Sequence, residues 1–182
     1  MSLTLDPQSS NPYADIIDGL AAKIANPDLS FVKELVAQGL ISDETELNIF
    51  DQTVEEDRRH AYDPPLSLCP AVTILTSGYP PVADRGIGTE IWHFDVAVML
   101  KLELPDRDSR KGLRAYWELT RTVLAGNKTP QLDPLAQTVG PKLADYQIAD
   151  DMAPPTSSER DGFRVARGMF IVQFRYSDNV RG

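Results

Sequence analysis

The chain has few cysteines and histidines, the residues on which nucleophilic catalysis, acid–base catalysis and many metal sites depend. Its 182 residues include one cysteine, Cys69, and two histidines, His60 and His93. A single cysteine forms no internal disulfide and no thiolate cluster, which favours a reducing compartment. Two histidines supply little acid–base or nucleophilic machinery. We therefore expect Cys69 to be a small buried residue, His93 to be an ordinary strand residue, and the chain not to be an enzyme.

Long apolar runs and an excess of positive charge are also missing. No stretch approaches the roughly 18 apolar residues of a membrane span, and Met1 to Asp6 lacks the basic and apolar segments of a secretory signal. The 27 acidic residues outnumber the 18 basic ones, for a net charge of −9. This balance excludes a broad electrostatic footprint for nucleic acid. We therefore expect neither membrane attachment nor DNA binding. DNA can nevertheless pass a like-charged surface without adhering to it.

Two kinds of motif suggest ligands only weakly. Gly86-Ile87-Gly88 lacks the third glycine of a dinucleotide loop and precedes a strand rather than a helix. Asp150-Asp151 and Glu55-Glu56-Asp57 offer oxygen ligands of the kind magnesium prefers, but adjacent acids in polar loops are usually solvated. We expect no metal and no cofactor, and a metal-dependent enzyme remains as an alternative hypothesis.

A long strand followed by an amphipathic helix is the clearest structural pattern. Between Trp92 and Leu104 every second residue is apolar, as in a strand with one buried face. From Ser109 to Ala125 helical spacing relates Leu113, Tyr116, Trp117, Val123 and Leu124. The pattern predicts an α+β fold, in which an antiparallel sheet with a long hairpin is packed on one face by this helix. With Trp117 in that core, its replacement by alanine should cost about 3–5 kcal/mol.

The rest of the chain predicts one domain with flexible ends. Asn11-Pro12 and Asn26-Pro27 bound an N-terminal helix. Residues 28–41 favour a second helix over a strand start, and residues 42–59 suggest a strand or a mobile arm. A closing strand covers 163–176, with a bulge at Gly168. The predicted boundaries are a flexible N-terminus at 1–10, a single domain at 11–177 with a projecting hairpin loop at about 77–88 and a flexible loop at about 150–161, and a C-terminal tail at 178–182.

The order of these elements resembles that of a known protein family. A strand opens with Cys69-Pro70-Ala71-Val72-Thr73-Ile74, and a long hairpin leads through Asp106-Arg107-Asp108-Ser109 into the amphipathic helix. The last strand ends in Phe170-Ile171-Val172-Gln173-Phe174-Arg175-Tyr176. Over most of residues 12–177 this resembles the tail terminator proteins of long-tailed bacteriophages, also called tail completion or minor tail proteins.

The resemblance implies a structural virion protein without an active site. Such a subunit assembles in the host cytoplasm into a homohexameric ring, caps the tail tube protein, and joins the tail to a head-completion or neck protein, with DNA passing through the channel. Another neck protein or head–tail connector, or an adaptor of a different assembly, is the alternative. An exposed arm of this length gains order by packing against a neighbour, so we expect subunit or partner contacts at Tyr79, Pro80, Pro81, Val82, Asp84 and Arg85.

Overall fold

The computed structural model describes residues 12–52, 54, 57–60, 62–76, 82–86, 89–105, 108–125, 134–139, 143–148, 153–160 and 163–178. Within these ranges the helices are α1 (Pro12–Ile24), α2 (Ser30–Ala37), α3 (Ser109–Leu124) and α4 (Pro134–Val139). The strands are β1 (Asn48–Asp51), β2 (Ala71–Thr76), β3 (Val82–Gly86), β4 (Thr89–Leu104), β5 (Leu143–Ile148), β6 (Ala153–Arg160) and β7 (Phe163–Asp178). The predicted α+β class, the N-terminal helix and the second helix are confirmed.

The strands form one sheet built around two long neighbours, β4 and β7. The strand order is β1-β2-β4-β7-β5, with β3 also beside β4 and β6 also beside β7. Every pairing is antiparallel except that of β1 with β2, which is parallel. The sheet, predicted as antiparallel, is therefore mixed, with one parallel pair at this edge. The 19 residues between β1 and β2, Gln52 to Pro70, give the chain enough length for the crossover that a parallel pair requires.

The β4–β7 ladder runs without interruption from Glu90 opposite Asp178 to Leu104 opposite Arg164. Gly168 lies in register opposite Leu100, so β7 has no bulge against β4 where one was predicted. The β6–β7 pairing does shift register at this point, between Ala153 opposite Met169 and Thr156 opposite Arg167. The change in apolar parity has a different cause. Val165 is buried on the face opposite to that of Phe170, while Phe163 is largely exposed. Both faces of β7 therefore carry apolar residues without any break in the ladder.

The helices cover one face of the sheet, and the core lies between the two layers. On β4 the predicted alternation is confirmed, since Phe94, Val96, Val98, Leu100, Leu102 and Leu104 are all buried. From the helices, the buried side chains that meet this face include Ile16, Leu20, Ile24, Phe31, Leu35, Leu119 and Leu135. Burial of large aliphatic and aromatic side chains is the main source of stability in a layer of this kind.

Helix α3 is rotated relative to the prediction. Tyr116 and Val123 are buried as expected, but Leu113 is 56% exposed and Trp117 is 61% exposed. The buried face instead comprises Gly112, Ala115, Tyr116, Leu119, Thr120, Thr122 and Val123. A Cβ atom on Gly112 would lie 2.7 Å from Cβ of Ala166, so α3 approaches β7 too closely for a large side chain at that contact. The expectation that Trp117 lies in the core, with its cost of about 3–5 kcal/mol on truncation to alanine, is wrong.

Two segments predicted as loops contain strands. Within the predicted hairpin loop 77–88, Val82–Gly86 forms β3, and within the predicted flexible loop 150–161, Ala153–Arg160 forms β6. Each pairs through backbone hydrogen bonds with one long neighbour, β3 with β4 and β6 with β7. β7 also includes Asp178, where the tail was predicted to begin. The flexible N-terminus at 1–10 and residues 179–182 of the predicted tail lie outside the described residues.

Candidate functional site

The predicted assembly residues fall at the hairpin end of the sheet. Tyr79, Pro80 and Pro81 lie outside the described residues. Val82, Asp84 and Arg85 belong to β3, where their backbones pair with His93, Ile91 and Glu90 of β4. The backbone register thus gathers these three positions on a strand whose only partner among the described strands is β4, as expected of an edge that can accept a neighbouring chain.

This hairpin end extends past the buried core. On β4 the buried positions begin at Phe94, whereas Glu90, Ile91, Trp92 and His93 are only partly buried. Across the sheet, the ladder with β7 nevertheless continues to Glu90 and Asp178. His93 lies in this ladder opposite Arg175, which agrees with its predicted role as an ordinary strand residue. The strand end therefore extends as a ladder whose side chains are less covered than those of the core.

A second candidate surface is formed by α2 and α3. Glu34, Leu113, Arg114, Trp117 and Glu118 line a groove of about 530 Å³ between these helices; we call it the α2–α3 groove. Its apolar part is the exposed pair Leu113 and Trp117, which are neighbours one helical turn apart. Large exposed apolar side chains in one patch are characteristic of interaction surfaces.

Three contacts fix which face of α3 points outward. At its N-terminus Asp108 caps the helix, its Oδ1 accepting the Arg110 backbone N–H at 3.0 Å. In the middle, the Tyr116 hydroxyl donates to the Met169 carbonyl at 3.0 Å. Near the C-terminus, Thr122 Oγ1 accepts the Phe31 backbone N–H at 3.0 Å. With Tyr116 and Thr122 turned inward, the 3.6-residue period places Leu113 and Trp117 toward solvent.

The charges around the α2–α3 groove are of both signs. The Glu118 carboxylate pairs with Arg121 at 3.0 Å, and Glu34 Oε1 accepts a hydrogen bond from Gln38 at 2.6 Å. Arg114 is exposed and makes no hydrogen bond or ion pair with any residue in the described part of the chain. The groove therefore presents two acids on its walls and one unpaired cation beside its apolar pair.

The face of the sheet away from the helices carries a buried lysine. Lys101 Nζ donates to Asp63 Oδ1 at 2.6 Å and to the Pro64 carbonyl, and Arg167 donates to the same Asp63 oxygen at 3.1 Å. These contacts fasten the segment before β2 onto β4 and β7. Nearby, Cys69 is only partly buried, so the expectation that it is a buried residue is wrong, although desolvation still raises the pKa of its thiol to about 11. A thiol with that pKa is protonated near neutral pH, so Cys69 lacks the thiolate character of a nucleophile.

A second buried lysine escaped the sequence prediction. Lys23 is 1% exposed, and its ammonium donates to the Val123 carbonyl at 3.0 Å, to Tyr146 Oη at 2.7 Å, and to the Ala125 carbonyl. It thereby caps the C-terminal end of α3, where unpaired carbonyls and the helix dipole favour a cation. The available signal was its spacing, because Lys23 follows Ile16 and Leu20 on the apolar face of α1.

Comparison with known proteins does not identify a family for this chain. No protein-family model and no curated protein matches this chain. Among the described residues, no three histidine, cysteine, aspartate or glutamate side chains are grouped so that they can hold a metal ion. In the same part of the chain no helix is long and apolar enough to cross a membrane.

Proposed function

We propose that this chain is a structural subunit of a long-tailed phage virion, a tail terminator that closes the tail tube as a homohexameric ring and joins it to the head-completion or neck protein. The proposal takes the protein to be non-enzymatic and located in the tail or neck of the virion. The observation that carries it is the long β4–β7 ladder, covered by helices over its core and extended at one end by β3.

The dimensions of the two layers support an assembly arm. β4 and β7 have 16 residues each, so at about 3.3 Å per residue each reaches roughly 50 Å. Helix α3 also has 16 residues but rises only about 1.5 Å per residue, or roughly 24 Å in all. The strands therefore outreach α3. At their hairpin end, where residues 90–93 of β4 are only partly buried, β3 offers an edge for a neighbouring subunit.

The charge of the chain is consistent with a channel that DNA traverses. A net charge of −9 repels the phosphate backbone, and a ring with acidic side chains toward its channel would hold no duplex. The purified ring should therefore show negligible affinity for duplex DNA at about 0.15 M salt, where a basic ring would bind and lose affinity steeply as salt rises. Submicromolar, salt-sensitive binding would contradict the proposal.

Ring formation is the direct test. Negative-stain images and light scattering of the purified protein should show a closed ring with about six times the 20.2 kDa mass of one chain. A stable monomer that associates only with a different protein would favour an adaptor of another assembly. Thermal stabilisation by a divalent cation would favour the metal-dependent enzyme instead. In a phage that encodes the chain, its deletion should yield separate heads and unjoined tails of irregular length, and normal infectious particles would refute the role.

The arm can be tested without removing β3. In the triple variant Y79S/P80G/P81S, henceforth the arm variant, the changes fall before the first residue of β3, so the sheet pairing should persist while the ring is lost. The matched control is Phe163→Ser, which removes an aromatic side chain that is 47% exposed at the opposite end of the β4–β7 ladder. We expect sedimentation velocity to show a ring for the control and smaller species for the arm variant. A ring of unchanged size in the arm variant would exclude these residues as the assembly contact.

A further inference from the structure

The outward face of α3 carries an apolar pair that no described residue covers. Leu113 and Trp117, with 56% and 61% exposure, lie one helical turn apart beside the α2–α3 groove of about 530 Å³. Tryptophan is among the residues most enriched at the energetic centres of protein interfaces. The inward contacts of Tyr116 and Thr122 hold α3 in the rotation that exposes this pair.

The charges beside this pair are arranged so that the surface complements itself. Arg114 lies between Leu113 and Trp117 along the helix and has no partner in the described part of the chain. Glu118 follows, and Glu34 lies on the α2 side of the same groove. A partner that fits must therefore bring an apolar side chain, an acid for Arg114 and a cation that shares the Glu118 carboxylate with Arg121. A second copy of this surface brings all three.

The symmetry of such a pair can be worked out from residue numbers. When two α3 helices pack antiparallel about a two-fold axis near residue 116, Arg114 of one copy lies level with Glu118 of the other. Trp117 then lies within roughly 3 Å, along the helix axis, of the level of Leu113 in the other copy. A two-fold axis makes each contact twice. The arginines toward the ends, Arg110 and Arg121, already have carboxylate partners in their own chain, at 2.9 and 3.0 Å. Like charges at the ends of the pair are thus partly neutralised.

We propose that this chain self-associates through α3 across a two-fold axis, with Trp117 of each copy seated in the α2–α3 groove of the other. This contact goes beyond the proposed tail terminator function and does not depend on it. A ring is built from head-to-tail contacts at the hairpin end, whereas the α3 contact joins identical surfaces. The two contacts use different residues, so each can be removed while the other remains.

The test is a sedimentation equilibrium series on the full chain carrying the Y79S/P80G/P81S changes, so that ring formation does not obscure a dimer. The same series on the chain without these changes shows whether the ring itself is present. We expect a monomer–dimer equilibrium with a dissociation constant below about 100 µM, as for a weak but specific association. Trp117→Ala should raise the dissociation constant at least about tenfold, as expected for a central aromatic anchor. The matched control is Phe163→Ala, which truncates another exposed aromatic far from α3 in the chain, 47% exposed at the start of β7, and should leave the constant unchanged.

Charge exchange tests the two-fold arrangement specifically. R114E alone places three acids around each groove, and E118R alone places two cations side by side, so each should weaken the dimer about tenfold. The double variant R114E/E118R restores an opposite pair across the axis and should recover most of the affinity. A chain that stays monomeric at about 100 µM, a dimer that Trp117→Ala does not weaken, or a charge exchange without recovery would each overturn the inference. If the ring forms but the dimer is absent, only the inference fails; if the dimer forms but the ring is absent, only the proposed function fails.

Discussion

Helix α3 has apolar residues on both of its faces, because Leu113 and Trp117 point to solvent while Tyr116 and Leu119 are buried. The inward face includes Gly112, Ala115 and Leu119, while the outward face carries Leu113 and Trp117. The distance between the layers decides this, since Gly112 lies against Ala166 with no room for a Cβ atom. The comparison teaches that burial follows the space available at a contact and not the hydrophobicity of a residue alone.

The largest effect expected on α3 is at Leu119. This side chain is fully buried in the cluster between the helices and the sheet, so Leu119→Ala removes transfer free energy and leaves a cavity. We expect unfolding free energy to fall by about 3 kcal/mol, measured by urea denaturation. Leu113→Ala, the same change on the outward face, should stay within about 0.5 kcal/mol. Equal losses at both positions would mean that the two faces do not differ in burial.

An intermediate effect on stability is expected at Thr122, whose hydroxyl oxygen accepts a hydrogen bond from the first turn of α2. Thr122 Oγ1 accepts the Phe31 N–H at 3.0 Å, and no side chain at the α2 N-cap position, Leu29, does so. Thr122→Val keeps the shape and leaves this donor unpaired, which should cost about 1–2 kcal/mol. Thr120→Val is the matched control, because the Thr120 hydroxyl only donates to the Tyr116 carbonyl within α3 at 2.9 Å. A larger loss in the control would show that the α2 cap is not important.

The smallest effect on stability is expected at Trp117, despite its size. Because most of its surface is already in water, Trp117→Ala should change the unfolding free energy of the monomer by no more than about 0.5 kcal/mol. The measurement is chemical denaturation at low protein concentration, where self-association does not contribute. A loss of about 3–5 kcal/mol, the cost typical of a buried aromatic, would show that the side chain is in the core and would remove the contrast between the faces.

Much of the fold could be predicted from local patterns. The alternation from Phe94 to Leu104 fixed both the strand and its buried face, and proline at position 12 together with Asn26-Pro27 bounded α1. Strands β3 and β6 escaped prediction because their sequences carry little of the alternation that identifies a strand. The described part of β6 includes Thr156 and Ser158, both exposed, and its ladder is supplied by β7. A strand of that kind can be recognised only when the strand that pairs with it is known.

The candidate site could be predicted less well than the fold. Helical periodicity identified Trp117 as part of an apolar set, but it assigned that set to the core. In the structure the exposed pair Leu113 and Trp117 lines the α2–α3 groove, which requires the contact of α2 with α3. The predicted interface residues Val82, Asp84 and Arg85 do lie together on β3, and their role in assembly remains a prediction.

The sequence by itself determined the helices α1 and α3, the strands β2, β4 and β7, the buried face of β4, the scarcity of catalytic side chains and the acidic charge. Each of these depends on composition or on spacing along the chain. Only the tertiary structure decided the rotation of α3 and the role of Lys23. The rotation depends on how closely Gly112 approaches Ala166. The lysine is stable in the core because the carbonyls of Val123 and Ala125 and the Tyr146 hydroxyl surround its ammonium. Its partners are about 100 residues or more away in sequence, and buried charge is tolerated only where such partners converge in space.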